Sequence, residues 1–175
     1  FKGSEDFVGQ IIHPQEWNST IDYENKKVAV IGSGATAVTL VPQIAKKASH
    51  VTMIQRSPTY IASVPSKYKI LHLLNYISPK FGYKIIRFTN ILRQRRIYRR
   101  ARRSPELVKD YLLGLVRDEL PDFDIEKHFT PSYNPWEQRL CLAPDSDFFE
   151  SIKQKRVSIE TCLLYTSDAA DERNS

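Results

Sequence analysis

The spacing of apolar and polar positions changes character several times along this chain. Lys27 to Ile31 is a short apolar run rich in β-branched residues, Gly32-Ser33-Gly34 breaks it, and Ala35 to Lys47 then carries apolar residues at helical spacing. A second short run at His50 to Gln55 predicts another strand, so this stretch reads as a βαβ unit. Residues 67–104 predict a helical insertion, with Leu71, Leu74 and Ile77, then Ile85, Phe88 and Leu92, and a break at Ser78-Pro79. Glu106 to Glu119 predicts a further helix with Leu107, Tyr111, Leu115 and Val116 on or near one face, entered at Pro105 and ended by Pro121. A helix start at Asp145 to Ile152, with Asp145 or Ser146 as cap, and a strand at Arg156 to Glu160 returning to the sheet complete the regular elements.

The prolines predict irregular backbone. Pro58 and Pro65 bound residues 55–65 as a rigid loop, in which Thr59, Tyr60 and Ser63 face a ligand or cap turns. Pro131, Pro135 and Pro144 each remove a backbone donor from the segment after Phe123. Residues 1–19 show no sustained periodicity and read as a loop region. The fold class expected is α/β, a doubly wound, Rossmann-like domain over 20–161 with a helical insertion at about 67–120.

The first βα turn spells G-x-G-x-x-A. Gly32 permits the tight turn, Gly34 lets a diphosphate approach the backbone, and the small Ala37 lets helix and sheet pack closely. An anion would rest over the unpaired N–H groups of the helix start, which makes Gly32, Ser33, Gly34, Ala35, Thr36 and Ala37 the candidate dinucleotide-binding residues. A site preferring NAD usually ends the second strand with an acid for the ribose diol. Here Arg56 and Ser57 stand instead, and a guanidinium fork suits the 2'-phosphate of NADPH; the bland alternative is a surface arginine after a strand.

Charge alters this picture in one place. The chain carries 26 Lys and Arg against 20 Asp and Glu, for a net charge of +6. Between Lys84 and Arg103 stand nine basic residues and no acid. The run reads as an amphipathic helix whose charged face is solvated or attracts the cofactor; peripheral contact with an anionic membrane stays open, and no nucleic-acid partner is expected. No apolar run reaches the roughly 18–20 residues of a membrane span, and no metal site is expected. Two cysteines make no disulfide framework, which fits a reducing compartment, and Cys141 reads as a small buried apolar residue.

Phe7, Gly9, His13 and Trp17 spell F-x-G-x-x-x-H-x-x-x-W, fifteen residues ahead of Gly32. This resembles the fingerprint of the class B flavoprotein monooxygenases, especially the Baeyer-Villiger type, which lies just before the second dinucleotide motif. Tyr133-Asn134-Pro135-Trp136 followed by Arg139 also resembles that family. The resemblance implies a two-dinucleotide-domain flavoprotein that uses FAD and NADPH to insert one atom of O2 into a ketone or aldehyde, or onto a sulfide or amine. It implies Arg139 as the active-site cation beside flavin and nicotinamide, and the location expected, from the cysteine usage, is cytoplasmic with membrane association open. Gln138 stands where relatives often place a phosphate-holding lysine, leaving more of that task to Arg56. His13 joins Arg139 as a candidate catalytic residue, although loop-holding by hydrogen bonds is its simpler role, and the resemblance implies that the fingerprint links domain motions.

For Arg139 the dull alternative is a salt bridge to Glu137. For the chain as a whole the alternatives are an NADPH-dependent flavoprotein reductase, disfavoured as a disulfide reductase by the lack of a cysteine pair, or a basic membrane- or nucleic-acid-binding module. The stretch Cys162 to Ser175 resembles translated sequencing-adapter sequence and is set aside from the fold reading.

Overall fold

A computed structural model describes residues 4–18, 20–66 and 78–162. Leu71, Leu74 and Ile77 of the expected insertion, and 163–175 of the adapter-like tail, lie outside the described residues. Strand β1 is Lys27–Ile31, helix α1 is Ala35–Ile44 and strand β2 is His50–Gln55. The helix ends three residues earlier than its apolar spacing suggested. Pro42 lies inside it and supplies no amide proton for the helical ladder. Strand β3 (Tyr60–Val64) precedes helices α2 (Pro79–Arg103), α3 (Pro105–Glu119) and α4 (Ile125–Phe129). Strand β4 (Leu140–Pro144), helix α5 (Asp147–Lys153) and strand β5 (Val157–Thr161) close the described chain.

β1, β2 and β5 form a parallel sheet with β2 central, Val28 opposite Val51 and Val51 opposite Val157. Val51, Met53, Val157 and Ile159 point to the buried face, where they join Val38, Val41 and Ile44 of α1 and Phe148, Phe149 and Ile152 of α5 in one core. Fully burying an aliphatic or phenyl side chain of this kind stabilises by roughly 1.5–3 kcal/mol. On the other face, His50 Nε2 bonds Ser158 Oγ at 2.9 Å and Ser158 Oγ donates to Thr52 Oγ1 at 3.2 Å.

The segments expected to be a rigid loop and irregular backbone instead contain a second parallel pair, β3 with β4, Tyr60 opposite Leu140 and Val64 opposite Pro144. Pro58 stands before β3, Pro65 after it, and Pro144 takes the last position of β4, so none interrupts a strand interior. Each pair face has its own partner. Ile61, Cys141 and Ala143 enter the main core, while Tyr60, Ala62 and Leu140 pack with Ala101 of α2 and Val108 and Leu112 of α3.

That sandwiching corrects the expected face of α3. Leu107 and Tyr111 are exposed at 59% and 66%, and the buried residues are Val108, Leu112, Leu113 and Val116. Helical phase alone leaves the choice of face to whatever the helix meets, here the β3–β4 pair. The amphipathic reading of the basic segment also fails over its second half. Residues 91–100 are all exposed, and arginines follow one another around the helix. Ser146 takes the N-cap position of α5 at φ 59° without a side-chain cap; its Oγ bonds Ser63 Oγ and donates to Glu119 Oε1, both at 2.6 Å. Lys153 Nζ meets the other Glu119 oxygen at 2.6 Å, and this pairing holds the Glu119 carboxyl below its ordinary value.

Candidate functional site

The C-terminal ends of β1 and β2 open onto the glycine turn. Gly32 has φ 122°, a backbone that side-chain-bearing residues rarely adopt, and its N–H donates to the Ile54 carbonyl at 2.8 Å. Ser33 is buried and donates through Oγ to the Ser57 carbonyl at 3.2 Å, tying the turn to the loop after β2. Gly34 is the N-cap of α1 and has no side-chain cap; the first turn, with Ala35 and Thr36 exposed, carries no acid. A helix start of this kind leaves amide protons directed outward with the positive end of the helix dipole behind them. Ala37, inside the first turn, is buried against the core.

Gly32, Ser33, Arg56, Ser57 and Arg139 line one hollow of about 190 Å³ with Ile31 and Ile54. This hollow is smaller than the roughly 300–1,000 Å³ of whole small-molecule sites. A larger hollow of about 340 Å³, lined by Ile61, Ser63, Leu115, Asp118, Glu119 and Phe149, contains none of the candidate residues.

Arg139 reaches the hollow from the turn before β4. Its Nε donates to Thr59 Oγ1 at 3.3 Å, and its Nη1 lies 3.6 Å from where a Cβ on Gly34 would stand. Glu137 is occupied elsewhere, accepting from the Asn134 backbone N–H at 2.8 Å and the Asn134 amide at 3.0 Å. The Arg139–Glu137 salt bridge is accordingly not formed. Below the hollow, Cys141 is buried, its thiol faces the Ser33 carbonyl at 3.9 Å, and burial raises its pKa while Arg139 opposes the rise. This matches the small buried role expected of it.

His13 does not line the hollow. It is exposed and caps the 3₁₀ turn Pro14–Glu16, its Nδ1 accepting from the Gln15 N–H at 3.4 Å. The exposed Phe7 ring lies over Gly9, 2.5 Å from where a Cβ would stand, and Trp17 packs on Tyr23 with centroids 5.4 Å apart. The sequence reading did not find the ring of contacts around Tyr133. Its hydroxyl bonds Thr59 Oγ1 at 2.9 Å and donates to the Arg139 carbonyl at 3.3 Å. Tyr60 donates to the Tyr133 carbonyl at 2.7 Å, and burial pushes its own phenol up to about 12. The available signal was the short, largely apolar run of β3, Tyr60 to Val64, masked by its flanking prolines.

The flavin-binding monooxygenase-like family pattern matches residues 1–87. FAD-containing monooxygenase EthA of Mycobacterium tuberculosis is 49% identical over 164 residues, covering 92% of this chain. The chain is thus similar to the flavin-binding monooxygenase-like family. EthA of Mycolicibacterium smegmatis is 45% identical, again over 92% of the chain. The chain spans about a third of the length of these relatives, 34% and 33% respectively.

Solved structures of monooxygenases share the fold. Oxidised steroid monooxygenase bound to NADP superposes with a TM-score of 0.70 at 17% identity, over 92% of this chain and 38% of that one. Cyclohexanone monooxygenase from Rhodococcus sp. Phi1 bound to NADP+ gives 0.63 at 18%, over 91% and 36%. The βαβ unit with its glycine turn therefore belongs to a Rossmann-like α/β fold. Among the described residues no helix is long and apolar enough to cross a membrane, and no cluster of three or more metal-binding side chains occurs.

Proposed function

We propose that this chain is the NADPH-binding portion of an FAD- and NADPH-dependent monooxygenase that transfers one atom of O2 to a ketone or aldehyde, or to a sulfide or amine centre. One observation carries the reading: the glycine turn, Arg56 and Arg139 converge on a single hollow at the C-terminal ends of β1 and β2. Parallel α/β sheets bind nucleotides at that edge.

The residues present fit a phosphorylated dinucleotide. Gly32 and Gly34 clear the backbone, the uncapped start of α1 offers amide protons to the diphosphate, and Arg56 and Ser57 stand where a 2'-phosphate would need a cation and a hydroxyl. Gln138 supplies no charge, so Arg56 carries the discrimination against NADH. When bound, NADPH supplies hydride to a flavin that in turn supplies the oxygen chemistry. Arg139, permanently protonated, offers a fixed positive charge at the turn to stabilise an oxyanion. His13 serves its loop and is assigned no proton transfer. FAD enters from the relatives' names; no described residue is assigned to it.

We assign residues 20–161 to the NADPH-binding portion, with about 67–120 as its insertion, and place the enzyme in a reducing, cytoplasmic setting. Peripheral contact of α2 with an anionic bilayer is the finer reading, supported only by its basic run.

The test uses the full-length protein that carries this chain. It is expected to consume NADPH in an oxygen-dependent way with ketone and sulfide substrates and to yield products heavier by one oxygen. Absence of both flavin binding and oxygenated product would overturn the proposal.

A further inference from the structure

Arg139 is an exposed, long side chain, and an untethered arginine of this kind loses up to about 2 kcal/mol of rotamer freedom when a ligand fixes it. Here it is tethered before any ligand arrives. The Arg139 carbonyl can only accept, so the bond from Tyr133 at 3.3 Å takes the single phenolic proton of Tyr133. The 2.9 Å contact between Thr59 and Tyr133 must then use the Thr59 proton. A lone pair of Thr59 Oγ1 remains for Arg139 Nε–H at 3.3 Å. The three bonds form a closed ring running in one sense, from Arg139 to Thr59 to Tyr133 and back to Arg139.

Both ends of this ring are held. Thr59 is 1% exposed, and Tyr133 is fixed by Tyr60 through an edge-on ring contact at 5.5 Å and the hydrogen bond from Tyr60 to its carbonyl. The ring consumes only the Nε–H of Arg139. It leaves the two Nη groups pointing past the ring, with Nη1 beside Gly34 at the start of α1.

We infer that Thr59 and Tyr133 are positioning residues that hold the Arg139 guanidinium over the glycine turn in readiness for the diphosphate-bearing part of NADPH. This rests on the assignment of the hollow to NADPH. Neither residue touches the dinucleotide; both act through Arg139, by removing the cost of ordering it.

The experiment measures equilibrium NADP+ affinity of the full-length flavoprotein by titration, together with KM for NADPH and kcat. Thr59→Val, Thr59→Ser and Tyr133→Phe are each placed in the wild-type and Arg139→Ala backgrounds. Thr59→Val and Tyr133→Phe are expected to weaken NADP+ binding and raise KM about fivefold to tenfold, the scale of one lost ordinary hydrogen bond. Thr59→Ser, which keeps the hydroxyl, is expected to stay within about twofold, and neither disruptive variant is expected to add to the loss in the Arg139→Ala background. Equal losses in both backgrounds, or failure of serine to restore binding, would overturn the inference in favour of a purely structural role. Unchanged NADP+ affinity in Arg139→Ala would also overturn it while leaving the monooxygenase reading intact. That reading fails separately, if the wild-type protein itself neither binds NADP+ nor forms oxygenated product.

Discussion

Ser33 Oγ donates to the Ser57 carbonyl across 3.2 Å, bridging two loops 24 positions apart. The first loop carries the glycine turn and the second carries Arg56. Neither loop alone sets the distance between the proposed diphosphate cradle and the proposed 2'-phosphate cation; this bond, the Gly32 N–H on Ile54 and the β1–β2 pairing set it together.

Ser33→Ala should therefore cost about 1 kcal/mol of stability, since it removes the part-buried bond to the Ser57 carbonyl. It should also weaken NADPH binding by loosening the spacing of the two loops. Denaturant midpoints and NADP+ titration measure the two effects, and an unchanged affinity would show that the loops keep their spacing without the bond.

Arg56→Ala should cost about 1.5–3 kcal/mol of NADPH binding, the range for a hydrogen bond to a charged group. NADH binding should change far less, because NADH lacks the 2'-phosphate. Parallel titrations with both cofactors decide it, and equal losses would remove Arg56 from phosphate recognition.

Two glycines should respond to alanine in opposite directions. Gly32, at φ 122°, should lose about 1–3 kcal/mol on Gly32→Ala through backbone strain. Gly114 sits inside α3 with nothing within 4 Å of an added Cβ, so Gly114→Ala should stabilise by about 0.5–1 kcal/mol through helix propensity. Thermal midpoints of the two variants should shift with opposite sign.

His128 gives stability a pH dependence. It is buried, bonds Thr161 Oγ1 at 2.8 Å and lies against Phe123; burial first, then Lys127, lowers its pKa, while Asp124 and Glu160 act the other way. The folded state thus binds a proton less readily than the unfolded state, whose imidazole titrates near about 6.5. Its contribution is fully present above that pH and is lost as the pH falls through the lower folded value. Denaturation midpoints followed downward from about pH 8 should fall across this window, and His128→Gln should flatten that part of the profile.

The sequence by itself determined the β1–turn–α1–β2 unit, the limits of both strands and the place of the dinucleotide motif. Those features depend on short-range period, β-branching and the unusual backbone of Gly32, all of which are local. It also marked Arg56, a permanent charge directly after β2, while Arg139 was marked by the resemblance of the Tyr133–Trp136 stretch to a known family. Tertiary structure decided the rest. β3 and β4 are too short and too closely bounded by proline to declare themselves; each becomes a strand only by pairing with the other. The buried side of α3 followed from which surface it met, so Val108 and Leu112 went inward while Leu107 and Tyr111 stayed in water. Likewise, Arg139 faces Gly34 instead of Glu137 because the β3–β4 pairing brings Thr59 beneath it, a contact between segments far apart in the chain.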